Sequence, residues 1–220
     1  MPKKQNPFIF IIILTIVSSF LLSFASSQLA DRRIYNEEVD KKKNILKSIG
    51  IDINSMTSVE ILDKYKNEIE EIIIDINGSK IDSIKFNDLE IDINKANGNT
   101  NYLYNKNKYL PIFKSSKPEA YIIPITGKGL WSTLYGYFAI DNDLNTVKGI
   151  TFYKHGETPG LGAEIEKEWF QKNFIGKKIK NNSNELVSIE VLKGKSEGDI
   201  HSVDGISGAT ITCRGVTDML

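Results

Sequence analysis

Residues 6–30 carry no charge, and within them PFIFIIILTIVSSFLLSFASSQLA is a run of apolar positions that nothing later in the chain repeats. A bilayer core takes about 20 helical residues to cross, whereas the apolar core of a cleavable leader runs to about 7–15. The run therefore predicts an uncleaved anchor over residues 1–30, although SFASSQ would also pass for a cleavage site. Lys3 and Lys4 precede it; Arg32 and Arg33 follow it, beside Asp31. Acids count little in the positive-inside rule, so charge alone leaves the orientation open.

Behind the anchor, Ile34, Val39, Leu46 and Ile49 recur among charges and predict a helix over 31–49 that Gly50 ends. A second helix is predicted over 58–74, where Thr57 and Ser58 offer N-cap hydroxyls and Glu60 follows. IIIDINGSKIDSIKF holds Asn77 and Gly78 between apolar arms, a hairpin signal. Residues 87–109 are rich in Asn, Lys and Asp and are read as a variable loop.

From residue 120 the period shortens to two. YIIPI, LYGYFAI and TVKGITFY read as strands, with DNDLN as the turn between the last two. EIEKEWFQKNFIG reads as a helix ending at Gly176, LVSIEVL as a strand, and ATITCRGVTDML as a final helix. The fold class expected is α+β: one transmembrane helix, then a mixed domain of mainly antiparallel strands. The organisation expected is an anchor over 1–30, a helical and variable part over 31–119, and a ligand-binding domain over 120–220. There is no internal repeat.

Composition narrows the chemistry. The 28 basic and 28 acidic residues cancel, which argues against nucleic acid as a partner. The short runs at 41–43 and 177–178 read as solvated faces. One cysteine, Cys213, permits no intrachain disulfide. With His155 and His201 it makes too few ligands for a structural zinc.

Three glycine-rich stretches remain. GKGLWS, residues 127–132, has the G-x-G start of a dinucleotide loop but Ser132 in place of the third glycine, and a strand follows. It reads as a tight, closely packed turn, with Trp131 and Tyr135 in the core or lining a pocket. HGETPGLG, residues 155–162, makes either a plain strand-to-helix turn or a loop whose backbone approaches a ligand. In the second reading Glu157 and Thr158 supply hydrogen bonds and Leu161 an apolar contact. Neither His155 nor Glu157 has a visible partner for general-base work. DGISGATIT, residues 204–212, places two glycines and the hydroxyls of Ser207, Thr210 and Thr212 where a helix begins. The free N–H groups there favour a phosphate, and a Ser/Thr helix cap is the plainer alternative.

Taken together, GKGLWSTLYGYFAID, GITFYKHGETPGLGAEI and VDGISGATITCRGV resemble the NqrC family, the C subunits of the sodium-translocating NADH:quinone oxidoreductases. The likeness covers about residues 120–218 and, more loosely, the single span; residues 36–110 show little to match. The last stretch fits the flavinylation pattern Asp-Gly-x-Ser/Thr-Gly-Ala-Thr, whose final threonine is Thr210. The resemblance implies FMN held covalently there by a phosphoester, installed from FAD by a separate flavin transferase. It implies that amides around Ser207, Gly208, Ala209 and Thr212 stabilise the phosphate. It also implies that Trp131, Thr158, Gly160 and Leu161, with Glu157, lie near the ring. Lys193 or Lys195 would raise the flavin potential, or else are exposed charge.

The implied role is electron relay in a membrane complex with other subunits. The implied place is a bacterial inner membrane, with the flavin domain on the periplasmic side. The family continues beyond the motif helix, so here that helix is expected to be short or cut off at Leu220. No acid lies within the span, which argues against direct sodium contact. Two alternatives stay open: the G subunit of the related Rnf complex, and an anchored binding module without redox chemistry.

Overall fold

A computed structural model describes residues 7–194 and 196–220. The chain divides into two compact units, one ending at Asp40 and one running from Lys41 to Leu220. In the first, α1 (Pro7–Gln28) is an uninterrupted helix of 22 residues with none of them buried. At 1.5 Å per residue it is about 33 Å long, which matches a hydrocarbon core of about 30 Å. It is long and apolar enough to cross a membrane. Helix α2 (Ala30–Ser48) follows, close to the range expected.

The second unit is built on a seven-stranded antiparallel sheet. Its strands are β1 (Ile69–Asp75), β2 (Glu90–Ile93), β3 (Thr100–Tyr104), β4 (Asn107–Ser116), β5 (Glu119–Lys128), β6 (Thr133–Ile140) and β7 (Val147–Lys154). They run in the order β2-β3-β4-β5-β6-β7, with β1 pairing along β4 from Ile69↔Ser115 to Asp75↔Tyr109. A small parallel pair, β8 (Glu190–Leu192) with β9 (Ser202–Asp204), precedes α5 (Thr210–Asp218). The fold is α+β, as expected.

Four local expectations are corrected. Helix α3 (Ser58–Glu68) starts at the Thr57/Glu60 capping box but stops at Glu68 rather than 74. The isoleucines that follow are β-branched, and β4 supplies the backbone partners that turn Ile69–Asp75 into strand β1. The turn at Asn77 and Gly78 forms, but its return arm reduces to one bridge, Ile74↔Lys80, because β1 pairs with β4 instead. Residues 87–109 are not a loop: they hold β2, β3 and the start of β4, and Asn94 and Asn97 turn the hairpin by accepting from the amides of Ala96 and Asn99. The helix expected after residue 163 is broken into a turn at Gly162–Glu166, α4 (Glu168–Gln171) and a turn at Lys172–Phe174.

One face of β5–β7 carries the main core. Leu134, Phe138, Ile150 and Phe152 meet Ile165, Phe170 and Phe174 from the helical turns, together with Val203 and Val216. Each such side chain contributes roughly 1.5–3 kcal/mol on burial. The alternate positions point the other way. There Thr151 donates its hydroxyl to the Asn44 carbonyl of α2 at 3.1 Å, and a side chain at Gly149 would collide with the Ser48 carbonyl. Helix α5 buries Thr212, Cys213, Gly215 and Val216. It lies so close to the end of β5 that a Cβ at Gly127 would stand 2.7 Å from the Gly215 carbonyl oxygen. The GKG run is therefore a close-packing device, as its sequence suggested.

Candidate cofactor site

The site is built around the first turn of α5. Gly205 leads into it, pressed against the Leu192 carbonyl where no side chain fits. The Ile206 amide donates to the Cys213 sulfur at 3.3 Å, and Ala209 N–H closes a turn on the Ile206 carbonyl at 3.1 Å. Burial pushes the Cys213 thiol up, so it stays neutral and serves as this acceptor. Gly208 adopts φ +77° to make the entry.

The N-cap is Ala209, which has no side chain to donate or accept, so the Ser/Thr cap alternative does not hold here. Among the described residues the amides of Thr210, Ile211 and Thr212 face no protein acceptor. They leave a partial positive charge at the helix start. The Thr210 side chain is exposed there and has no hydrogen-bond partner among the described residues. Thr212, two residues on, is buried, and its hydroxyl donates to Glu157 Oε2.

Glu157 ties the surrounding segments together. It is only 6% exposed. The Trp131 amide donates to Oε1 at 3.0 Å and the Leu130 amide to Oε2 at 3.2 Å. Burial raises its pKa, but the Thr212 hydroxyl and the amides of Trp131, Leu130 and Ser132 outweigh it and hold the carboxyl below its ordinary 4.5. It is a carboxylate at neutral pH. Alongside, the Gly156 amide donates to the Ser132 hydroxyl at 2.6 Å, and His155 Nε2 lies 2.8 Å from Glu166 Oε1.

These ties leave a cavity of about 230 Å³ between the β5–β6 turn, the 155–162 loop and the start of α5. Of the residues singled out by sequence, Trp131, Glu157, Thr158 and Leu161 line it. Gly208, Ala209, Thr210 and Thr212 join them from the third segment. Gly160 and Ser207 do not: Gly160 sits in a turn with open space around it, and Ser207 faces a neighbouring cleft. That second cleft, about 650 Å³, holds Lys193 and Arg214 and shares Gly208 and Thr210 with the first, so Thr210 stands on the ridge between them. Lys195 lies outside the described residues. Sequence reasoning missed Leu130, Gly162 and Ile211, which also line the smaller cavity. Leu130, Trp131, Leu161 and Ile211 are all large apolar side chains left exposed at its rim.

The FMN-binding domain family matches this chain over residues 129–220. The C subunit of the Na(+)-translocating NADH-quinone reductase of Haemophilus ducreyi is 34% identical, over 94% of this chain and 84% of that protein. Its counterpart in Vibrio alginolyticus is also 34% identical, over 92% and 83%. The chain belongs to the NqrC family of Na(+)-translocating NADH-quinone reductases. The fold agrees. The crystal structure of the C subunit from Parabacteroides distasonis superposes with a TM-score of 0.71 at 39% identity, over 87% of this chain and 91% of that one. That of Shewanella oneidensis NqrC gives 0.67 at 27% identity, over 84% and 90%. As a member of this family the chain is a membrane-anchored part of the reductase, and the region that matches the FMN-binding domain contains every segment of the site described above.

The residues present fit such a group. An exposed, unbonded hydroxyl stands at a helix start whose amides lack acceptors, and apolar side chains stand uncovered beside it. A phosphate suits the first and a flat aromatic ring the second.

Proposed function

We propose that the chain is an FMN-carrying electron relay within a sodium-pumping NADH:quinone oxidoreductase, with the flavin bound covalently at Thr210. The observation that carries this reading is the contrast in one helix turn: the Thr210 hydroxyl is exposed and free, and the amides beside it face no acceptor. Attachment is a phosphoryl transfer. The Thr210 oxygen attacks the flavin-side phosphorus of FAD held by a flavin transferase, and the new P–O bond replaces the diphosphate bond. AMP leaves with that electron pair, and the hydroxyl proton is released.

The amides of Thr210, Ile211 and Thr212 then stabilise the phosphodiester charge. Trp131, Leu130 and Leu161 offer apolar walls for the ring, with the Thr158 hydroxyl as a polar contact. When bound, FMN supplies reversible one- and two-electron chemistry, while the chain positions it and keeps it from dissociating. Residues 120–220 form the flavin-carrying part, and residues 31–119 support it with strands β1–β4 of the same sheet and the helices before them. In this reading α1 anchors the chain in the inner membrane, with the flavin domain on the periplasmic side, beside the other subunits of the complex. The NqrC relatives favour this over the Rnf G subunit, and co-purification with a ferredoxin-oxidising assembly would reverse that preference.

The test is the full chain produced in membranes together with a flavin transferase. On a denaturing gel the wild type fluoresces under ultraviolet light, and intact mass shows one flavin. Thr210→Ala loses both while keeping its thermal unfolding temperature, since only an exposed hydroxyl and a methyl are removed. Retention of the flavin mass in Thr210→Ala would reject the assignment. A wild type that is never modified would point to the non-redox binding module.

A further inference from the structure

Two threonines stand in the first turn of α5, and the structure treats them oppositely. Thr210 is exposed and unbonded, whereas Thr212 is 2% exposed with its hydroxyl proton committed to Glu157. The same carboxylate receives the Leu130 and Trp131 amides, so one side chain joins the acceptor helix to the turn that bears Trp131. Gly162 makes room for this. A Cβ there would stand 2.5 Å from Thr212 Oγ1 and 2.8 Å from Glu157 Oε2. Three segments distant in sequence thus converge on a single buried carboxylate under the cavity.

We propose that the Glu157–Thr212 pair is a positioning device that selects the flavin acceptor. It masks the Thr212 hydroxyl and holds the helix start so that, of the two threonines, Thr210 is the one presented to the phosphorus. This rests on the reading of Thr210 as the attachment residue. Neither Glu157 nor Thr212 needs to touch the flavin, because both oxygens of the carboxylate and the hydroxyl proton are already engaged within the protein. A bond to an ionised acceptor in a site of low exposure is strong, and a helix start held by it keeps the neighbouring reacting hydroxyl in place, where small misplacements slow the reaction.

The experiment follows flavin attachment to the full chain in membranes by intact mass and peptide mapping, at a fixed transferase level and several reaction times. Thr212→Val keeps the shape and deletes the hydroxyl, and its initial loading rate is expected to fall about tenfold. Thr212→Ser restores the hydroxyl and is expected to return the rate to within about twofold of wild type. That rescue separates the hydrogen bond from simple packing, because serine lacks the methyl that packing would require.

Loading of Thr212→Val at the wild-type rate would overturn the proposal, as would failure of Thr212→Ser to rescue. Should Thr212→Val prove unfolded, Thr210→Ala decides alone. An unmodified Thr212 in its peptide map supports masking, and flavin on Thr212 overturns it. A wild type that carries no flavin on any residue fails the earlier functional reading instead, and the selection proposal falls with it. Wild type loaded at Thr210 with a normally loaded Thr212→Val fails the selection proposal only.

Discussion

The turns around the cofactor cavity and those of the β1–β4 region are held by different means. At the cavity, the partners are far apart in sequence: Glu157 reaches amides 27 and 26 residues away and a hydroxyl 55 residues away, and Ser132 caps an amide 24 residues away. In the β1–β4 region Asp75 serves Asn77 and Ser79, Asn94 serves Ala96, and Asn97 serves Asn99, none more than four residues off. A local turn organises itself, whereas a long-range tie forms only once the intervening chain has closed into loops. The cavity therefore exists only in the folded domain, and damage to its packing is felt cooperatively. The β1–β4 turns tolerate damage one at a time.

The largest expected effect comes from closing the gap that lets α5 sit on β5. A Cβ at Gly215 would collide with the Lys128 carbonyl, which is backbone and cannot swing away. Overpacking of this kind costs about 3 kcal/mol, offset by about 1 kcal/mol of helix propensity, so Gly215→Ala should lose about 2 kcal/mol net. Denaturant unfolding of the detergent-solubilised full chain measures it. Loss of flavin loading should accompany it, because the same helix carries Thr210. A neutral Gly215→Ala would mean that α5 can slide without consequence, and the contrast between the two regions would collapse.

Glu157→Gln should come next in size, and it has a pH signature. The folded carboxyl titrates below its ordinary 4.5 because hydrogen bonds from Thr212 and the 130–132 amides outweigh its burial. A depressed pKa contributes stability that is fully present above the unfolded value and is lost as pH falls through the folded one. The unfolding temperatures of wild type and Glu157→Gln should therefore differ most above the ordinary carboxyl value of 4.5 and converge as pH falls below it through the folded value. A constant difference across that range would show that shape, not charge, holds the three segments.

How much of this was legible beforehand follows the same division. Local signals were readable: the Thr57/Glu60 box starts α3, Gly50 follows α2, and Asn77 with Gly78 makes a turn. Where pairing at a distance overrode local pattern, the reading failed. The helical period over 58–74 gave way at Ile69 because β4 lay ready to pair, and the Asn-rich composition of 87–109 concealed strands whose partners are each other and β4. At the site, Trp131, Thr158, Leu161 and Thr210 carried motif signals, and the fold brings them to one cavity. Leu130 and Ile211 are plain apolar residues, and only the Glu157 tie and the helix start place them there. The burial of Thr212 against the exposure of Thr210 had no local signal at all, because Ser207, Thr210 and Thr212 read alike as hydroxyls where a helix begins. By the structure, Ser207 is exposed and Thr212 is not.

The smallest expected effect tests the other side of the contrast. Gly78 sits at φ +84° in the turn after β1, and a Cβ there would meet nothing within 4 Å. Its amide donates to the Asp75 carbonyl at 3.0 Å, and that bond survives substitution. The only penalty of Gly78→Ala is the left-handed backbone, about 1 kcal/mol. Because among the described residues no hydrogen bond or ion pair runs from this turn to the cavity, the loading rate of Thr210 should equal that of wild type. A loss well above 1 kcal/mol, or slowed loading, would show that the β1–β4 turns are coupled to the cavity through the shared strand β4. Unfolding and loading measured on one preparation of Gly78→Ala therefore set the limit of how local that region is.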